Sequence, residues 1–182
     1  MKANLVRGEG FAELFRRFSR SAWRWEAQGI YREPDEVLPW QRWRDGVPVA
    51  SDLDWLAPWL DLVRAATNAG RRFERVRKIT DPMTEYLRWQ MDVTPANIEA
   101  GEDIRLMSEA EANRLGLPAE DFWLFDDEQV AVLHFGARGL DGVEIVTDPA
   151  TVARYQTWRD VAWQHAVTFE QYPGRRPAER SP

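Results

Sequence analysis

The sequence predicts an α/β fold (or its α+β variant) with a mixed sheet flanked by helices, and three observations carry that reading. Residues 72–107 read as strand, helix, strand; residues 118–135, PAEDFWLFDDEQVAVLHF, read as a hairpin about an acidic turn; and residues from 148 open a long amphipathic helix. A strand–helix–strand unit of this length makes a parallel pair with a right-handed crossover, and a hairpin adds antiparallel strands beside it.

The elements follow in chain order. In residues 9–28, Phe11, Leu14, Phe15, Phe18 and Ala22 recur at helical spacing, with Arg16, Arg17, Arg20 and Arg24 on the remainder, so one helix is expected up to Gly29. Residues 30–53 hold no period and are punctuated by Pro34, Pro39, Gly46 and Pro48; an irregular segment pinned by Tyr31, Trp40 and Trp43 is expected at a sheet edge. Asp52 or Asp54 is placed to cap a helix carrying Trp55, Leu56, Trp59, Leu60 and Val63, which stops near Asn68–Gly70. RFERVRKIT at 72–80 reads as a strand, although its alternation is imperfect. Asp81-Pro82 then opens a helix with Met83, Tyr86, Leu87 and either Gln90 or Met91 inward, and Pro95 and Gly101 break it before strand 103–107. Ser108 caps a short helix. Strands 122–125 and 129–135 flank Asp126, Asp127 and Glu128, a glycine-rich turn spans 136–142, and strand 143–147 follows. Asp148-Pro149 starts the last helix, with Val152, Tyr155, Trp158, Ala162, Ala166 and Phe169 along one face. The resulting organisation is an N-terminal helical region, 1–70, packed on a sheet domain, 71–172, with a disordered tail at 173–182.

Composition narrows the chemistry. The 182 residues, 44% of them hydrophobic, are enough for one domain with a real core. A formal net charge of -6 opposes non-specific attraction to nucleic acid or an anionic membrane. The chain has no cysteine, which removes disulfides and thiolate metal sites, and only two histidines, His134 and His165. No apolar signal core opens the chain and no run approaches a membrane span, so a cytoplasmic protein with no membrane partner is expected. The ten tryptophans are foremost core packing; a minority can line a pocket or a partner surface, where Trp and Arg are favoured.

Motifs for catalysis are scarce. Neither a phosphate loop nor a dinucleotide fingerprint occurs, no nucleophile elbow accompanies a histidine, and no nucleic-acid-binding motif is present, so neither cofactor nor direct nucleic-acid contact is expected. The acids Asp121, Asp126, Asp127 and Glu128 read as a solvated turn, with oxygen ligation of a divalent cation as the alternative. The arginines offer more. Arg75 and Arg77 share a strand face, Arg88 lies on the following helix, Arg105 on the next strand and Arg159 on the last helix. They either pair with Glu74, Glu85, Glu99, Glu102, Asp103 and Asp160, or converge near strand ends, where open α/β sheets bind ligands and guanidinium groups clamp anions.

FRRFSRSAWRWE, RVRKITDPMTEYLRWQ, NIEAGEDIRLM, LPAEDFWLFDDEQVAVLHF and YQTWRDVAWQHA, within residues 15–26 and 75–166, resemble the recurring blocks of an uncharacterised actinobacterial family of small proteins. That resemblance implies a bacterial cytoplasmic protein, often encoded beside small helix-turn-helix regulators, and no established activity. At the level of fold, the element order from residue 72 is similar to one half of a phospholipase D-like domain, including degenerate versions used as sensors. Setting Asp126 on that family's motif Asp places Asp121 where its Lys stands and Ala119 where its His stands, so the nucleophile is missing. The site that this resemblance implies is a binding remnant lined by Arg77, Arg105 and Trp123.

The leading expectation is therefore a non-catalytic binding or regulatory accessory protein, sensing a small anionic ligand through Arg75, Arg77, Arg88, Arg105, Trp123, Asp126 and Arg159, and contacting a helix-turn-helix regulator or another small protein. A hydrolase or nuclease built on Asp121, Asp126, Asp127, Glu102 and His134, with or without a metal, is the first alternative. A purely structural interaction module is the second.

Overall fold

The computed structural model describes residues 5–175. Seven strands form one mixed sheet: β1 (Ser21–Glu26), β2 (Arg72–Ile79), β3 (Glu102–Ser108), β4 (Phe122–Phe125), β5 (Gln129–Gly136), β6 (Gly139–Val146) and β7 (Val167–Thr168). Their order across the sheet is β6-β5-β4-β1-β2-β3-β7. β1, β2 and β3 run parallel, while β4 to β6 and β7 add antiparallel neighbours on the two sides. Among the described residues six α-helices accompany the sheet: α1 (Glu9–Arg17), α2 (Val37–Arg44), α3 (Ala57–Asn68), α4 (Glu85–Glu99), α5 (Glu109–Arg114) and α6 (Pro149–His165). The mixed α/β class and the 72–107 parallel unit are as the sequence predicts.

One element differs in kind. Residues 9–28 are not a single helix; α1 stops at Arg17 and SAWRWE becomes β1, between β2 and β4. Alternation explains the switch. Ser21, Trp23 and Trp25 face one side of the sheet, Ala22, Arg24 and Glu26 the other, and both sides are covered. The first 70 residues thus supply a central strand of the sheet as well as helices packed on it.

Each face of the sheet has its own core. On the first, Ala22, Phe73, Trp123, Ala131 and Leu133 meet Phe15 and Phe18 at α1 and Leu60, Val63 and Ala66 of α3. On the second, Trp23, Trp25, Val76, Phe122 and Val130 meet Ala112 of α5 and Val152, Tyr155 and Ala162 of α6. Each large side chain so buried stabilises the fold by about 1.5–3 kcal/mol. Trp23, Trp25, Trp89 and Trp123 are at most 2% exposed, which identifies them as core residues.

The segment at 30–53 is less irregular than its sequence. It folds into α2 between two single-turn 3-10 helices, and Tyr31 and Trp40 pack with Tyr86 and Trp89 of α4 rather than along a sheet edge. Neither Asp52 nor Asp54 caps α3 through its side chain; Asp52 instead receives a two-pronged bond from Arg42 at 2.7 and 2.8 Å. Thr84, not Pro82, begins α4, its hydroxyl accepting from the Leu87 N–H at 3.1 Å. Pro95 does not break that helix, which runs on to Glu99. Ser108 and Asp148 cap α5 and α6 as expected, accepting from Glu111 and Thr151. The 136–142 turn is shorter than expected, because β6 already begins at Gly139. Phe169 lies beyond the end of α6, and Pro173–Arg175 form a 3-10 turn; residues 176–182 of the expected tail fall outside the described residues. No helix among the described residues is long and apolar enough to cross a membrane.

Candidate functional site

A pocket of about 460 Å³ opens on the first face of the sheet, at the C-terminal halves of the parallel strands β1 and β2. The segment leaving β1, residues 27–36, forms its rim. That placement follows the general rule for open α/β sheets, in which ligands sit beyond the carboxyl ends of strands. The volume lies in the range typical of small-molecule sites.

Alternating residues of the two strands build the floor. Arg24 and Glu26 project from β1 and Arg75 and Arg77 from β2, all toward the same face. Glu26 accepts from Arg75 and from Arg77, one oxygen each, both at 2.6 Å. Arg75 also donates to Glu102 at 2.6 Å, and Arg77 to Thr94 of α4 at 2.9 Å. Arg24 donates to Asp121 at 2.9 Å, and Asp121 further accepts from the Ala27 N–H at 3.0 Å and the Tyr31 hydroxyl at 2.5 Å. A continuous chain results: Asp121, Arg24, Glu26, Arg75, Glu102, with Arg77 joined at Glu26. The carboxylate side chains are at most 7% exposed and the guanidinium side chains at most 13%. Burial pushes the Glu26 carboxyl up, but Arg75, Arg77 and Arg24 outweigh it and hold the group well below the usual carboxylate range. At Asp121 burial prevails over Arg24 and Tyr31, and the carboxyl is raised.

Aromatic rings make the walls. Trp55, Trp59, Tyr86 and Phe135 line the cavity with Tyr31 and Trp123. The Arg24 and Arg75 guanidiniums lie 5.5 and 5.8 Å from the centre of the Trp123 ring, within cation–π range. The rim carries Glu33, Asp35 and Glu36. Glu33 accepts from the Leu140 N–H at 3.1 Å, and Glu36 from the Tyr86 hydroxyl at 2.7 Å. Burial raises the Glu33 carboxyl. It raises Glu36 further, to about 7, against the lowering effect of the Tyr86 bond.

Of the seven residues that the sequence nominates, the pocket gathers Arg75, Arg77 and Trp123. Arg88 is exposed on α4 and does not line it. Arg105 is on the opposite face of β3, 3.6 Å from the centre of the Trp163 ring and paired with Asp103. Arg159 pairs with Asp127 and Asp160. Asp126 is committed to the backbone, accepting from the N–H groups of Ser19, Arg20 and Ser21 at 2.6–3.0 Å. The expected carboxylate partners hold for Arg75 with Glu102, Arg105 with Asp103 and Arg159 with Asp160, whereas Glu74 and Glu85 pair with Arg72 and Arg44. The acids of the hydrolase reading have separate partners: Asp121 with Arg24, Glu102 with Arg75, Asp127 with Arg159, and His134 with Glu144 at 3.4 Å. Among the described residues, no group of three or more His, Asp or Glu side chains is arranged to hold a metal ion.

Several pocket residues escape a reading of the sequence alone. Arg24 and Glu26 are hidden by the helical periodicity of residues 11–22; the signal that finds them is the period-two run of SAWRWE. Glu33 and Glu36 come from a segment without period, and only the fold brings them to the pocket. Comparison with known proteins adds the family. The chain belongs to the family described as Domain of unknown function (DUF6879), which matches residues 9–173. No curated protein matches it.

Proposed function

We propose that this family member is a small-molecule-binding protein whose ligand occupies the pocket between the β1–β2 floor and the rim at residues 33–36. The single observation that carries the reading is the composition of that cavity. About 460 Å³ of concave space is walled by Trp55, Trp59, Tyr86 and Trp123 over a floor of interlinked ion pairs. Apolar walls with a few fixed polar groups are what small-molecule sites share. The floor contributes rigidity. Each charged group is ion-paired with a neighbour, Arg75 and Arg77 across strands and Arg24 with Asp121 before β4, so its geometry is set before a ligand arrives, which lowers the ordering cost of binding. The family resemblance adds to this proposal a role in regulation, with a helix-turn-helix regulator or another small protein as partner.

Ligand-observed NMR of a diverse fragment set against the full chain tests the reading. Leu140 lines the cavity, so Leu140→Trp fills space there without touching the floor. Fragments that contact the native protein should lose contact with Leu140→Trp while its thermal unfolding stays cooperative. A set with no hits, or hits that survive the filling substitution unchanged, would place binding elsewhere or remove it.

A further inference from the structure

We infer that the pocket selects an organic cation, an apolar and preferably aromatic body bearing a protonated amine or guanidinium, seated with its charge at the Glu33–Glu36 rim. This deepens the small-molecule reading and rests on it. It also turns the ligand's charge away from the anion that the arginines suggest in sequence.

The reason is electrostatic. The floor is balanced: Arg24, Arg75 and Arg77 face Glu26, Glu102 and Asp121, joined by direct ion pairs at 2.6–2.9 Å. An anion that drew both Arg75 and Arg77 away would leave Glu26, whose side chain is 7% exposed, with Arg24 alone at 3.6 Å, and breaking buried ion pairs in this way is strongly unfavourable. The rim is not balanced. Glu33, Asp35 and Glu36 all line the cavity, and no ion pair among the described residues involves any of them. Their hydrogen bonds come from neutral donors, the Leu140 N–H to Glu33 and the Tyr86 hydroxyl and Gln90 amide to Glu36. Uncompensated acids above aromatic rings make a site for a cation with an apolar body, because ring faces and carboxylates attract the same charge. Arg24 and Arg77 act on Glu33 and Glu36 from the floor, but both are ion-paired there and neither is paired with a rim carboxylate.

Glu36 supplies a pH signature. Its carboxyl is held at about 7 by burial, with Glu26 of β1 and Glu33 raising it and Arg77 of β2 and the Tyr86 bond from α4 lowering it. A simple amine stays protonated to about pH 10. Raising the pH from 6 to 8 therefore ionises Glu36 while the ligand keeps its charge, and amine affinity increases.

Three probes of similar size and different charge test this on the full chain: 2-phenylethylamine, 2-phenylethanol and 3-phenylpropanoate, titrated by saturation-transfer NMR at pH 6, 7 and 8. The amine should bind at least about five-fold more tightly than the other two at pH 8, with the advantage shrinking toward pH 6. Glu33→Gln and Glu36→Gln should each cut that advantage while leaving the alcohol unchanged; Gln at 36 still accepts from Tyr86, so the fold is preserved. Equal binding of all three, or tightest binding of the carboxylate, overturns the cation inference and leaves the pocket reading standing. Contact with none of the three, together with a fragment screen without hits, overturns both.

Discussion

Asp126 shows how a residue that looks like a site serves the fold instead. It begins the turn between β4 and β5 with a φ of 56°, and Asp127 follows at 61°. Both lie in the left-handed region, which Asp and Asn tolerate better than other side chains. From there the Asp126 carboxylate accepts from the Ser19, Arg20 and Ser21 N–H groups and the Ser19 hydroxyl, tying the entry of β1 to the hairpin. Burial pushes this carboxyl up, but the backbone bonds prevail and hold it below its ordinary value. Asp126→Ala removes every one of these bonds and places a methyl side chain at positive φ. The expected cost is roughly 2–4 kcal/mol, with Asp126→Asn milder because it keeps one acceptor and suits the backbone. The sign with pH follows from the lowered folded value. The bonded carboxylate contributes fully above about pH 4 and its contribution is lost as acid protonates the folded state. Urea midpoints of the native chain and of Asp126→Asn should therefore converge as the pH falls from about 4 through the lowered folded value. A gap that stays constant through that range would contradict the assignment.

At the scale of elements, what was legible follows from how local the determinants are. The 122–135 hairpin, the 72–79 strand and the start of α6 are set by alternation, turn residues and caps within a few positions, so the sequence shows them directly. β1 is hidden because Ala22 continues the helical spacing of Phe11, Leu14, Phe15 and Phe18, and only the cover on both faces decides in favour of a strand. The pocket is legible in part for the same reason. Arg75 and Arg77 share parity on a recognisable strand, whereas Glu33 and Glu36 have no periodic neighbours to place them. Pro95 is a second case of tertiary context overriding a local rule. Proline lacks the N–H that would bond four residues back and is disfavoured inside helices. Yet Val93, Thr94 and Asn97 around it are buried, and their packing carries α4 through. Pro95 itself is exposed. Pro95→Ala therefore forfeits no core contact, restores a donor to the helix and should raise stability by about 1–2 kcal/mol, read as a higher denaturation midpoint with unchanged m. A lower midpoint would show that the ring is needed where it stands.

For the whole molecule, the position of β1 decides whether residues 71–172 are a unit. β1 lies between β2 and β4, so removing it deprives one edge of each of a strand partner. Its loss also vacates the places of Trp23 and Trp25 in the second core and of Ala22 in the first. The floor fails with it. Without Glu26, Arg75 keeps only Glu102, and Arg77 keeps no carboxylate, although both guanidiniums lie on the same buried face beneath the cavity. Each of these defects is of the kind that costs several kcal/mol, against a total domain stability of about 5–15 kcal/mol. Residues 71–172 alone should therefore show no cooperative urea transition and little near-ultraviolet circular dichroism. Residues 1–70 added as a separate chain should restore both, because the missing strand and its carboxylate arrive together. A Glu26→Ala form of that added chain should dock poorly, which separates the electrostatic contribution of β1 from its apolar one. Cooperative unfolding of isolated 71–172 would instead mean that β2 and β4 can pair across the gap and that the pocket floor is not a condition of the fold.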